Sequence, residues 1–298
     1  MKLRSVRPVG SGYQSLGCRN HEGYPDPTAG SALAGYQNGN RPSGRQKTRN
    51  KDKTIKRRIH PVSEMAKDLA ADTPADEPRK ADGFIAVSVG EGINEIFSSL
   101  GVDMIIAGGQ TMNPSTEDML NAIDKINADH IYILPNNKNI VLAAQQAAHM
   151  TEDKEIYVVP TKSVPQGIAA MVAFMPESSA EDNLRSMQEA MEVVKTGQVT
   201  YAVRDTVIDD KKIKENDYMG IGDSGILSVG SDKAQVAVDM VREMVDDTSE
   251  LISIYYGDDI DEESARQLAD RLGAEFGGPD IEIQCGGQPI YSYIISVE

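Results

Sequence analysis

Ile105-Ile106-Ala107-Gly108-Gly109-Gln110-Thr111-Met112-Asn113-Pro114-Ser115-Thr116-Glu117-Asp118 is the stretch on which the reading of the fold turns. A short apolar run ends in two glycines, uncharged hydrogen-bonding side chains follow, and Ser115 then opens an amphipathic helix. Ser115 with Asp118 three residues on is the pattern of a capping box. Met119, Ile123 and Ile126 recur at helical spacing behind it. A strand that runs through a Gly-rich turn into a helix N-terminus is where open α/β sheets bind ligands. Backbone N–H groups are free there, and the helix dipole favours an anion. Gly109 is expected where a Cβ would spoil a conformation or a close approach. A tight turn with a capped helix and no ligand fits the same residues, and on residue types alone the two readings stand level.

Outward from that motif the pattern is regular. Residues 84–88 form the first expected strand, followed by a turn at Gly90 and Gly92 and a helix carrying Ile93, Ile96, Phe97 and Leu100 on one face. Strands at 104–107, 130–134 and 155–159 alternate with helices at 115–126, 139–150 and 164–174. Apolar strands joined by short connections to helices imply a parallel sheet covered on both faces. The expected α/β domain spans residues 83–176. After Pro176 a helix from a second capping box at Ser178 and Glu181 ends at Gly197. Strands then cluster at 198–203, 218–221 and 225–229, and an αβαββ run closes the chain, with strands at 281–285 and 291–297. This second, smaller domain is expected to be mixed α+β over residues 177–298.

Residues 1–82 differ in kind. They hold 16 Lys+Arg and 9 Asp+Glu, a balance of +7, whereas residues 83–298 carry −23 of the total net charge of −16. Residues 1–60 keep no hydrophobic period, and the basic run at 45–58 has no aromatic platform beside it. A disordered or non-native extension is therefore favoured over a nucleic-acid-binding arm, with residues 61–82 as linker. An acidic body disfavours nucleic acid or anionic membrane as the main partner. No run is long and apolar enough for a membrane span, and Cys18 and Cys285 give no disulfide framework. A cytoplasmic protein is expected.

Four stretches also carry a family resemblance: GGQTMNPST at 108–116, PNNKN at 135–139, VPQG at 164–167 and the ending GGQPIYSYIISVE at 286–298. In this order they resemble the C-terminal region of the A-type component of bacterial fatty acid kinase, the dihydroxyacetone-kinase-like proteins with a DegV-like tail. The resemblance covers residues 83–298. It implies a DegV-like α/β fold and a separate fatty-acid-binding, DegV-like partner subunit. It also implies an ATP module that holds magnesium through an Asp-Gly-Asp-Thr-Gly-type cluster. No such cluster occurs here. The nearest string, Gly222-Asp223-Ser224-Gly225, lies between two strand candidates and reads as a hairpin. ATP and magnesium are accordingly expected on a catalytic module that this chain lacks. The family's His-x-His segment, associated with zinc, is missing as well, and the four histidines have no metal-ligand spacing. A frameshifted or mis-started middle domain would account for residues 1–82.

Uncharged amides and hydroxyls gather at the ends of successive strands. Gly108, Gly109, Gln110, Thr111, Asn113 and Ser115 follow the second strand, Asn136, Asn137 and Lys138 the third, and Gln166 and Gly167 the fourth. A parallel sheet brings these turns to one edge. They suit a carboxylate or phosphate, but no general base accompanies them, so binding is favoured over catalysis. Two functions lead, ahead of an enzyme acting on an unrecognised small-molecule substrate. The chain docks a fatty-acid-binding subunit for acyl-phosphate formation, as the resemblance implies, or it is a stand-alone module for a small carboxylate or phosphate. Self-association is left open.

Overall fold

A computed structural model of the chain describes residues 78–109, 112–208 and 211–298. The expectations for residues 1–77, and those for Gln110 and Thr111, lie outside the described residues. Strand β1 (Lys80–Ser88) leads to α1 (Glu91–Ser99), β2 (Met104–Ala107), α2 (Thr116–Lys125), β3 (Ala128–Leu134), α3 (Val141–Met150), β4 (Glu155–Val158) and α4 (Val164–Val172). The four strands are parallel in the order β2-β1-β3-β4, as their apolar composition and helical connections predict. β1 starts at Lys80, ahead of the expected position. Its N–H donates to Asn127 O and it pairs with Ala128, so the pairing with β3 extends the strand into sequence with no apolar signal.

Strand alternation divides the apolar residues between two layers. Ile85 and Val87 of β1, with Ile131 and Ile133 of β3, pack against Met119 and Ile123 of α2 and Ala144 and Ala147 of α3. Phe84, Ala86, Tyr132 and Leu134 point the other way, onto Ile93 and Phe97 of α1 and Ala170 and Met171 of α4. Each fully buried Ile or Phe there contributes roughly 1.5–3 kcal/mol. Met187 and Met191 of α5 (Ala180–Glu192) fill the same layer. The N-cap of α5 is Ser179, bonded to Asp182, one residue later than the sequence pattern suggests.

The rest of the chain builds a mixed sheet from β5 (Lys195–Tyr201), β8 (Tyr218–Gly222), β9 (Gly225–Gly230), β10 (Leu251–Tyr256), β11 (Asp280–Cys285) and β12 (Tyr293–Val297). Its order is β11-β10-β12-β5-β8-β9, with only β10 and β11 parallel. The strands β6 (Thr206–Ile208) and β7 (Lys211–Ile213) pair separately. Helices α6 (Lys233–Arg242) and α7 (Glu262–Phe276) cover one face through Val236, Met240, Leu268 and Leu272. Tyr255 and Ile294 on the other face join the layer of α1, α4 and α5. Gly197 lies inside β5 rather than ending a helix, because a Cβ there would meet Met240 Cε at 2.6 Å. Sheet and α6 come that close only over a glycine. Gly222 and Gly225 flank the expected two-residue hairpin turn. Pro78–Glu298 belong to one compact unit. No helix among the described residues is long and apolar enough to cross a membrane.

Candidate functional site

The strand order reverses beside β1, since β2 lies on one side of it and β3 on the other. The crevice beyond the carboxyl ends of strands at such a switch point is where α/β sheets place ligands. Here that crevice is a cavity of about 110 Å³. Val87, Ser88 and Val89 close it at the end of β1, Ala107, Gly108 and Gly109 at the end of β2, and Pro135, Asn136 and Asn137 just after β3. The mixed sheet supplies the opposite wall through Gln198 of β5 and the turn Gln288–Tyr291. Burial in that wall pushes the Tyr291 hydroxyl up to about 12, so it stays neutral at ordinary pH.

The two walls interlock backbone to backbone. Ile93 N donates to Gly286 O at 3.1 Å, which closes the N-terminus of α1 with a carbonyl. Gly90, at φ +107, would bring a Cβ within 2.5 Å of Gly286 O, and a Cβ on Gly92 would overlap Cys285 O. These glycines therefore serve close packing. Gln288 is 1% exposed, and its Nε2 donates to Tyr255 O at 2.9 Å and Tyr291 O at 3.2 Å. Its Oε1 is sealed without a partner, in the space that a side chain on Gly286 would occupy. Two carbonyls facing Nε2 fix the orientation of the amide.

The expected site residues divide. Gly108, Gly109, Asn136 and Asn137 converge on the cavity. Asn136, at φ +53, is held by Thr161 Oγ1 and donates through Nδ2 to Val87 O at 3.0 Å. It ties the β3 turn to β1. Gly167 sits against its side chain, where any Cβ would collide with Asn136 Oδ1. Gln166 is buried, accepts from Lys162 N and donates to Val194 O. Ser115 forms the expected reciprocal capping box with Asp118 and is exposed, away from the cavity lining. Hydrogen bonds from Ser115, side chain first and then backbone, hold the Asp118 carboxyl below the ordinary carboxylate range. Asn113 and Lys138 are exposed and do not line the cavity. The close approach assigned to Gly109 belongs to Gly108, where a Cβ would meet Pro114 Cδ at 2.6 Å. At Gly109 the nearest atom is Val89 Cγ1 at 3.3 Å.

Three of the four helix N-termini around the edge are occupied from within, whereas α3 has no side-chain cap. Gly286 O closes α1, Ser115 caps α2 and Ser163 accepts from Gln166 N at α4. In the turn before α3, Asn137 accepts from Asn139 N through Oδ1 and from Ile140 N through its carbonyl. No charged side chain lines the cavity among the described residues, and no group of three or more His, Cys, Asp or Glu is placed to hold a metal ion. The rim carries exposed apolar side chains, Met112 at 64%, Val89 and Ile290. Sequence reasoning missed the Gln198 and Gln288–Tyr291 wall, because a strand distant in sequence delivers it. The signal was present in the Gly286-Gly287 pair and in the shared ending around it.

Residues 83–298 match the FakA-like C-terminal family, the C-terminal region of fatty acid kinase A-like proteins. Protein YloV of Bacillus subtilis is 44% identical over 238 residues, covering 80% of this chain and 42% of that protein. An uncharacterized protein of Staphylococcus aureus is 42% identical over 215 residues, 72% of this chain and 39% of its own length. The chain thus spans about two fifths of the length of these relatives. Among solved structures, a DegV family protein of Corynebacterium glutamicum superposes with a TM-score of 0.53 at 13% identity, over 73% of this chain and 97% of its own. One from Ruminococcus gnavus, solved with vaccenic acid, gives 0.52 at 17% identity, over 73% and 99%. Likeness at such identity shows the fold, which is DegV-like. Sequence and fold agree, and the chain belongs to the fatty acid kinase A-like family, as a representative of its C-terminal region.

Proposed function

We propose that this chain is the non-catalytic, partner-docking region of a fatty acid kinase-type assembly. Its partner is a separate DegV-like protein that carries the fatty acid to be converted to acyl phosphate. ATP and magnesium belong, on this reading, to a catalytic module outside residues 83–298. The observation that carries it is the size of the edge cavity. About 110 Å³ is far below the roughly 300–1,000 Å³ of sites that enclose extended ligands. A long acyl chain has no room there, although the R. gnavus protein of like fold was solved with a fatty acid. The rim of Met112, Val89 and Ile290 offers an apolar contact surface at the same edge. The acidic body of residues 83–298 suits a partner with a basic face.

Calorimetric titration of the purified 298-residue chain against the DegV-like protein encoded in the same genome tests the proposal. Saturable binding is expected, weakened about ten-fold or more by Met112→Asp, because a buried carboxylate without a partner is costly at an apolar contact. Free palmitate is expected to give no saturable heat. Tight palmitate binding with no response to the DegV-like protein would overturn docking.

A further inference from the structure

Most of the cavity wall is apolar, and of the four amide side chains that line it, Gln198 and Asn137 keep unsealed groups without a hydrogen-bond partner among the described residues. Gln198 of β5 pairs across the ladder with Ile294, which points into the layer between the sheets. Gln198 therefore occupies a position on the inner face of the mixed sheet where an aliphatic residue is expected. Its amide makes no hydrogen bond among the described residues, although it is half-buried. Asn137 is 5% exposed and spends Oδ1 on Asn139 N, leaving its Nδ2 donors unused. Neither amide is sealed from the cavity, so both keep hydrogen-bonding capacity toward whatever fills it. An occupant that supplies the missing partners would account for both.

We propose that the edge cavity is a binding site for a small uncharged molecule, one carbonyl, amide or hydroxyl group on a short apolar body. Gln198 and Asn137 would meet the polar group, and Val87, Ile93 and Ile294 the apolar part. An anion is disfavoured on three grounds: among the described residues no charged side chain lines the cavity, the α1 terminus is closed by Gly286 O, and a capping box occupies α2. The volume sets the size of the occupant. A cavity of about 150 Å³ accepts benzene, so 110 Å³ accommodates about six non-hydrogen atoms or fewer. This inference is tested separately from partner docking: it is read at Gln198 and Asn137, and docking at Met112 of the rim.

Butyramide and butyrate share a shape and differ in charge, which makes them suitable probes. Amide chemical shifts of the full-length, isotope-labelled chain are followed during titration with butyramide, butyrate and inorganic phosphate. Saturable shifts at Gly108, Gly109 and Asn137 are expected with butyramide. Butyrate should bind about ten-fold more weakly, since its charge must be desolvated without a counter-charge, and phosphate should cause none. Gln198→Leu keeps the volume and removes the amide. It should weaken butyramide about five-fold while the melting temperature holds or rises. Gly109→Leu uses the open space at Gly109 to fill the cavity and should abolish the shifts. Equal or tighter binding of butyrate would make the cavity an anion site and overturn the proposal. Absence of saturation up to roughly 100 mM butyramide, or undiminished binding by Gln198→Leu, would leave only a hydrated packing void and overturn it equally.

Discussion

At the residue scale the glycines are not equivalent, and the distances rank them. Gly92 lies in α1, where alanine would ordinarily gain about 1 kcal/mol of helix propensity. Its Cβ would overlap the backbone of Cys285, and backbone cannot swing aside. Gly92→Ala should therefore destabilise by about 2–3 kcal/mol in urea unfolding, and Gly108→Ala by a similar amount. Gly109→Ala should stay within about 0.5 kcal/mol, since it meets one methyl at 3.3 Å. A large loss at Gly109 would move the close approach back to that residue. Ile290 adds a second contrast. Its φ of +75 is strained for a β-branched side chain, at about 1–3 kcal/mol. Ile290→Gly should leave the melting temperature unchanged or higher while weakening the partner, if the strained residue is kept for docking. Lower stability with full affinity would make it scaffold.

At the element scale α2 is the clearest case. Ser115 Oγ accepts from Asp118 N, and Asp118 Oδ2 accepts from Ser115 N at 2.8 Å. Ser115→Ala is expected to cost about 1 kcal/mol of stability. The same bonds lower the Asp118 pKa in the folded chain, which sets a direction for pH. A carboxyl depressed on folding contributes stability above its unfolded pKa and loses it as pH falls through the folded one. The gap between the wild-type chain and Ser115→Ala should accordingly narrow on acidification below the ordinary carboxylate range. Denaturant midpoints at pH 7 and near pH 3 measure it. A gap independent of pH would show that the carboxylate arm of the box adds nothing.

At the scale of the whole molecule, charge and interlock dominate. Residues 83–298 keep a net balance of −23 even after pairs such as Lys195 with Asp246 and Arg242 with Glu275 are counted. Unpaired like charges repel over roughly 10 Å at 0.1 M salt and less above it. Melting temperature should rise between about 10 and 300 mM NaCl. A fall would mean that the ion pairs outweigh the repulsion. The interlock of Gly90–Gly92 with Cys285–Gly286 joins the parallel sheet to the mixed one, so unfolding of residues 78–298 is expected as one transition. Two resolved calorimetric transitions would assign the sheets to independent units.

The sequence by itself determined the parallel sheet, its flanking helices, the capping box at Ser115, the hairpin at Gly222–Gly225 and the family. Each of these is written in local periodicity, in turn chemistry or in contiguous motifs, and neighbouring residues suffice to specify them. Gly197 was legible only as a punctuator, because what makes it a strand residue is a methionine from α6. Tertiary structure alone decided that Asn136 ties two strands together and that the α1 terminus is closed by Gly286. It also decided that Gln198 faces a cavity shared with β1 and β3. Those contacts join residues about 50 to 200 positions apart, and no pattern along the chain encodes which distant backbone will fill the space beside a glycine.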